Sequence, residues 1–144
     1  MDATAKMRNQ FLLLAYSKRG IPYQWGMDSL ELGCDCSGFV RLVLQQFQLI
    51  PPGDYSSQML YDHFSGSKKI VDEVKPGCLL FFGRGTKKIS HVALAIDGGR
   101  MLEAAGGSHK TDTLGAALEA DACVRDSRIG RRYDLVAVAD PFKK

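Results

Sequence analysis

The hydrophobic pattern of this chain changes period halfway along, and that change limits the fold more than any other feature. In the first half, apolar residues recur three and four apart. From about Thr4 to Arg19 they stand at Met7, Phe11, Leu14 and Ala15, one face of a helix, and Gly20 is a natural C-terminal stop. A loop containing Pro22, Gly26 and Gly33 follows. The spacing then predicts a second helix from Cys36 to about Gln48, with Phe39, Val40, Val43, Leu44 and Phe47 on one face. Pro51-Pro52-Gly53 ends it, and a short third helix is predicted over Ser57 to Phe64. Beyond this point the apolar runs are short and bounded by turn residues. Strands are predicted at Cys78 to Phe82, Ser90 to Ile96, Met101 to Ala104 and Leu135 to Ala139, with Asp97-Gly98-Gly99 as a strong turn. Helices first and antiparallel strands afterwards describe an α+β domain.

No repeat, linker or low-complexity stretch divides the 144 residues, so residues 1–144 are expected to form a single domain with no targeting module. The formal charge of +3 is a weak bias, and no Lys/Arg stretch is dense enough to track a nucleic-acid backbone. No nucleic acid is expected as partner, and Arg131-Arg132 reads as a solvated pair. The N-terminal apolar stretch, Phe11 to Tyr16, is too short for a signal peptide, and Asp2 stands where a basic region would begin. No run reaches transmembrane length. The expectation is therefore synthesis into the cytoplasm. The four cysteines, Cys34, Cys36, Cys78 and Cys123, are too few for a disulfide framework and contain no C-x-x-C pair. They are expected to be reduced, with no metal or other cofactor.

Cys36 opens the second helix, with Asp35 before it as a capping residue and Ser37-Gly38 keeping the first turn uncrowded. A thiol there faces unpaired backbone N–H groups and the positive end of the helix dipole, which favour the nucleophilic thiolate. The alternative is a small buried apolar residue. A nucleophile needs a base, and the histidines are His63, His91 and His109. His91 is the best placed. Along Ile89-His91-Ala93-Ala95 it shares a strand face with small residues, while Val92, Leu94 and Ile96 point to the opposite, core-like face. If the Asp97-Gly98-Gly99 turn closes over an odd number of residues, Glu103 opposes Ala93 and shares the face of His91. A carboxylate there would orient the imidazole. An even turn would make Glu103 a strand residue of the other face.

Four short motifs stand in one order: Pro22-Tyr23-Gln24-Trp25-Gly26, Asp35-Cys36-Ser37-Gly38-Phe39-Val40, Lys75-Pro76-Gly77-Cys78-Leu79-Leu80-Phe81-Phe82 and His91-Val92-Ala93-Leu94-Ala95-Ile96. Together they resemble the NlpC/P60 family of papain-like cysteine peptidases over about residues 8 to 105, and Gln58 also fits. The resemblance implies a papain-like core, with N-terminal helices packed on an antiparallel β-sheet of about five to six strands. It further implies hydrolysis of amide bonds in bacterial peptidoglycan stem peptides, commonly between D-glutamate and a diamino acid. Cys36 would attack, His91 would act as base and then acid, and Glu103 would occupy the position of the family's third polar residue. Tyr23 would lie near the oxyanion, and Asp35 and Ser37 would line the substrate groove.

The chain departs from the family pattern at two places. The third polar residue is usually His, Asn or Gln, and the usual "PGD" is here Pro76-Gly77-Cys78. A bare catalytic domain fits a phage- or prophage-encoded wall hydrolase delivered with a tail, or a toxin carried by a secretion machine. The competing readings are a papain-like amidase or acyltransferase on another substrate, and a non-catalytic tail-assembly component that retained the fold. Cysteine before histidine is the ordinary chain order and argues against the permuted relatives that include acyltransferases.

Overall fold

The structure, a computed structural model, describes residues 2–25, 28–106, 110 and 113–144. Gly26, His109 and most of the Gly106 to Thr113 loop lie outside the described residues. Helix α1, Ala3–Ser17, is capped by Asp2, whose side chain accepts from the Ala5 N–H at 2.8 Å. A two-residue ribbon, β1 (Asp28–Ser29) and β2 (Gly33–Cys34), leads into α2, Cys36–Gln46. That helix stops two residues short of the predicted Gln48. Phe47 serves as its cap, Gln48 takes a left-handed conformation (φ 55°), and the Leu49 N–H returns to the Leu44 carbonyl. Local chain reversal ends the helix before Pro51 is reached. Helix α3 runs Ser57–Gly66 and is capped by Ser56.

The strands are β3 (Ile70–Val71), β4 (Leu79–Gly83), β5 (Ile89–Ala95), β6 (Arg100–Ala105), β7 (Cys123–Arg128) and β8 (Leu135–Ala139), with a short helix α4 (Leu114–Glu119) before β7. They form one six-stranded antiparallel sheet in the order β3-β8-β4-β5-β6-β7. The α+β expectation and the sheet size are both met. β3, β7 and α4 were not foreseen. β7 carries Arg125, Asp126 and Ser127 at its centre, so it lacks the apolar alternation by which a strand is recognised.

The sheet is covered on both faces. One face, with Leu79, Phe81, Val92, Leu94, Leu102 and Val124, packs against α2 through Phe39, Val40, Val43 and Leu44, all fully buried, and against Phe11 of α1 and Leu60 and Phe64 of α3. Each such side chain contributes about 1.5–3 kcal/mol of burial. The other face holds a second cluster, Cys78, Leu80, Phe82, Ala93, Ala95, Met101 and Val138, against which Ile129 packs. Cys78 is therefore a buried packing residue.

One irregularity positions the site. The β4–β5 ladder pairs Phe82 with His91 and then Gly83 with Ile89, so Ser90 is an extra residue. The bulge turns Ile89 onto the helix face, whereas uninterrupted alternation had placed it beside His91. Gly83 is required here, because a Cβ on it would run into the Lys88 carbonyl. Gly83→Ala is expected to destabilise the fold by about 1–3 kcal/mol through forced displacement of the bulge. Urea unfolding of the purified protein measures this, and an unchanged midpoint would contradict it.

Candidate active site

Cys36 is the first residue of α2. Asp35 caps that helix, its Oδ1 accepting from the Gly38 N–H at 2.7 Å and from the Ser37 hydroxyl at 3.3 Å. The thiol lies 3.6 Å from the Ser57 hydroxyl, and Ser57 is itself the first residue of α3. Two helix N-termini thus converge on one sulfur, and both favour negative charge there. Sequence reasoning missed Ser57, because nothing in the local pattern of α3 places its first turn against α2.

His91 borders the same cleft as Cys36, and its interaction with the thiol lowers the pKa of Cys36 and raises its own. On the other side of the ring, Nε2 lies 2.7 Å from Glu103 Oε1, which leaves Nδ1 for the thiol. The β5–β6 ladder pairs Leu94 with Leu102 and Ala95 with Met101, so the intervening turn has odd parity and Glu103 falls opposite Ala93. Glu103 is fully buried. Its second oxygen accepts from Arg131 Nε at 2.8 Å, with a further Arg131 nitrogen at 2.7 Å. Arg131-Arg132 is therefore not a solvated pair. Arg131 neutralises the buried carboxylate, and Arg132 bonds both oxygens of Asp134 at 3.0 and 2.8 Å while lying over the Phe82 ring.

Charge is organised along this line. Burial alone would raise the pKa of Glu103, but hydrogen bonds from His91, Ser127 and Arg131 outweigh it and hold the carboxyl down at about 2. Burial opposes charge on His91 as well, yet its contacts with Cys36 and Glu103 raise the imidazole above its ordinary value. For Cys36, burial favours the neutral thiol, whereas His91 and then Ser57 lower the pKa below the ordinary thiol value. Each shift favours the charged form of its group, thiolate at Cys36 and imidazolium at His91.

Tyr23 lies on a segment held between β2 and β7, its N–H donating to the Ala122 carbonyl and its neighbour Gln24 to Cys34. Burial above all, and then the negative charge of Cys36 and Asp35, raises the phenol far above its usual range, so the hydroxyl stays a donor. A cleft of about 530 Å³ joins Tyr23, Asp35, Cys36, Ser37 and Ser57. Asp35 is thus both a cap and a groove residue. Gln58 secures the wall of this cleft, accepting from the Ile89 N–H at 2.9 Å and donating to the Thr86 carbonyl at 2.8 Å. His63 stands apart, with its ring against Tyr55 and Phe64. Cys34 is buried and is not part of a disulfide.

A helix-borne thiol, a strand imidazole and a buried carboxylate on an antiparallel sheet define a papain-like α+β domain. The sequence model of the NlpC/P60 family matches residues 20–127, and the chain belongs to that family. It is 32% identical over 109 residues to peptidoglycan endopeptidase RipB of Mycobacterium tuberculosis, covering 67% of this chain but 42% of RipB. The solved structure of RipB superimposes with a TM-score of 0.72 at 24% identity, over 100% of this chain and 70% of that one. The gamma-DL-glutamyl hydrolase of Bacillus subtilis is 31% identical over 87 residues, which is 59% of this chain and 20% of that protein. RipD of Mycobacterium tuberculosis, described as a non-catalytic NlpC/p60 domain protein adapted to peptidoglycan binding, has the same fold (TM-score 0.66, 20% identity, 92% of this chain and 95% of that one).

Replacing the buried charge tests the relay. Glu103→Gln removes the anion that raises His91, so the imidazolium should lose its proton at lower pH. The rise of Cys36 alkylation by iodoacetamide, read as rate against pH, should then begin at higher pH, because a neutral imidazole no longer favours the thiolate. Acid stability should change too. Unfolded, a glutamate titrates near 4.5, and folded Glu103 near 2. The wild type therefore loses stability as pH falls from 4.5 towards 2, and Glu103→Gln should lack that slope. Superimposable curves for the two proteins would contradict the relay.

Proposed function

We propose that this chain is a cysteine endopeptidase hydrolysing the γ-D-glutamyl–diamino acid bond of peptidoglycan stem peptides. The observation that carries the reading is the Cys36–His91–Glu103 line, with Glu103 2.7 Å from His91, beside a cleft that reaches Tyr23 and Asp35. Family membership and the similarity to peptidoglycan endopeptidases and a gamma-DL-glutamyl hydrolase support the substrate class.

His91 Nδ1 holds the proton taken from Cys36, and the thiolate attacks the scissile carbonyl carbon. The negative charge that develops on the carbonyl oxygen meets the Cys36 N–H, which has no intrahelical acceptor at the first helical position, and the Tyr23 hydroxyl. Imidazolium then donates its proton to the departing amine as the C–N bond breaks, leaving a thioester. Water enters, His91 takes one of its protons, and hydroxide attack releases the carboxylic acid. The proton on His91 returns to the Cys36 sulfur. Glu103 orients the ring and offsets its positive charge at both stages without itself being protonated.

The test is incubation with purified peptidoglycan fragments and identification of products by mass spectrometry. Wild type should release fragments ending in γ-D-glutamate, and Cys36→Ala should abolish them. Tyr23→Phe should lower kcat by about 100-fold if its hydroxyl meets the oxyanion. The same fold in RipD belongs to a non-catalytic protein, which makes the alternative concrete. Intact fragments that nevertheless bind the wild-type protein would replace the peptidase reading with that one.

A further inference from the structure

The groove has a second compartment of about 480 Å³ on the sheet side of the thiol. Tyr23, Trp25, Cys36 and His91 border it, and its remaining wall includes the arginines Arg125, Arg131 and Arg132. Three guanidinium groups lining one small space repel each other unless they are countered. Two are countered. Arg131 is bound to Glu103, and Arg132 to Asp134.

Arg125 is different. It stands directly opposite Glu103 in the β6–β7 ladder, so both side chains leave the same face of the sheet. The carboxylate it faces is already taken by His91 and Arg131. Among the described residues the Arg125 side chain makes no hydrogen bond or ion pair, although it is only half-exposed and borders the cleft that holds the thiol. A planar guanidinium with free donors, partly removed from water, is suited to gripping a carboxylate through two parallel bonds. The compartment on the other side of Cys36 differs, with Asp35 on its wall and Asp54 there paired with Arg41 at 3.6 Å.

We propose that Arg125 binds a substrate carboxylate adjacent to the scissile amide and selects peptides that carry one. The proposal rests on the peptidase reading above. A γ-D-glutamyl–diamino acid bond has two candidates: the α-carboxylate of D-glutamate on the acyl side, and the nearer carboxylate of the diamino acid on the amine side. Either is a single negative charge a few bonds from the reacting carbonyl, and amidation removes it with little change in shape.

The test uses three tripeptides, L-Ala-γ-D-Glu-diaminopimelate and the two forms amidated at one or the other of these candidate carboxylates, with wild type, Arg125→Ala and Arg125→Lys. Iodoacetamide titration of Cys36 normalises each preparation. Arg125→Ala should lower kcat/KM on the unmodified peptide by about 10- to 100-fold, the range of a charge-assisted hydrogen bond, and Arg125→Lys should lose less. One amidated peptide should be cut poorly by wild type and no worse by Arg125→Ala, and its identity tells which carboxylate is gripped. Equal loss on all three peptides, or no loss, overturns the role of Arg125 and leaves the peptidase reading standing. Failure of wild type to cut any of them removes the peptidase reading and the Arg125 proposal with it.

Discussion

The interaction on which the site depends is the hydrogen bond between Glu103 and His91, 2.7 Å long and closed to water at the carboxylate. A lone carboxylate in that position would carry a desolvation penalty of several kcal/mol and would take up a proton instead. It stays ionised because its second oxygen is held by Arg131. Its charge raises the affinity of His91 for a proton, and His91 in turn lowers the pKa of Cys36. The lowered pKa of a thiol on α2 therefore rests on an arginine in the turn that follows β7. Four separate segments are bound into one electrostatic unit, and loss of any member alters the charge of the others.

The sheet divides labour between its faces. The helix face carries the main core and, through α2, brings the thiol. His91 and Glu103 leave from the other face, among Ala93, Phe82 and Met101. Residues on opposite faces of a sheet do not ordinarily meet. They meet here at the end of β5, where the Ser90 bulge breaks the ladder and Gln58 of α3 takes up the Ile89 N–H. The reactive pair thus sits where the two layers come together, bordered by open groove, while the support for the base stays dry. This explains why a small backbone irregularity with a required glycine lies so close to the chemistry.

Much of this was legible in the residues themselves. The period of the apolar residues located α1, α2, α3 and four of the strands, and the three-residue turn Asp97-Gly98-Gly99 made the facing of Glu103 a question of parity. What remained hidden shares a physical cause. β7 lacks apolar alternation because Arg125 faces Glu103 across the ladder and Ser127 bonds that carboxylate, where a core strand would carry apolar residues. Arg131 looked solvated because its partner lies 28 positions earlier in the chain. Ile89 was assigned to the wrong face because a bulge leaves no trace in a hydrophobic pattern. Ser57 was overlooked because its contact with Cys36 arises only when α2 and α3 pack with their first turns together. Local pattern records local structure, and each of these depends on a distant segment.

The glutamate at position 103 also changes what the rest of the groove must do. A neutral histidine, asparagine or glutamine in that place could orient the base without a counter-ion. A glutamate buried there needs one, and Arg131 supplies it. With that pair nearly neutral, and Arg132 matched by Asp134, the second compartment retains, among the described residues, a single unpaired guanidinium, that of Arg125. Its cationic character towards an incoming ligand is therefore not a property of three arginines. It comes from one, set across the ladder from a carboxylate that is already occupied. The unpaired guanidinium and the support of His91 are consequently carried by different side chains, although these stand side by side on β6 and β7.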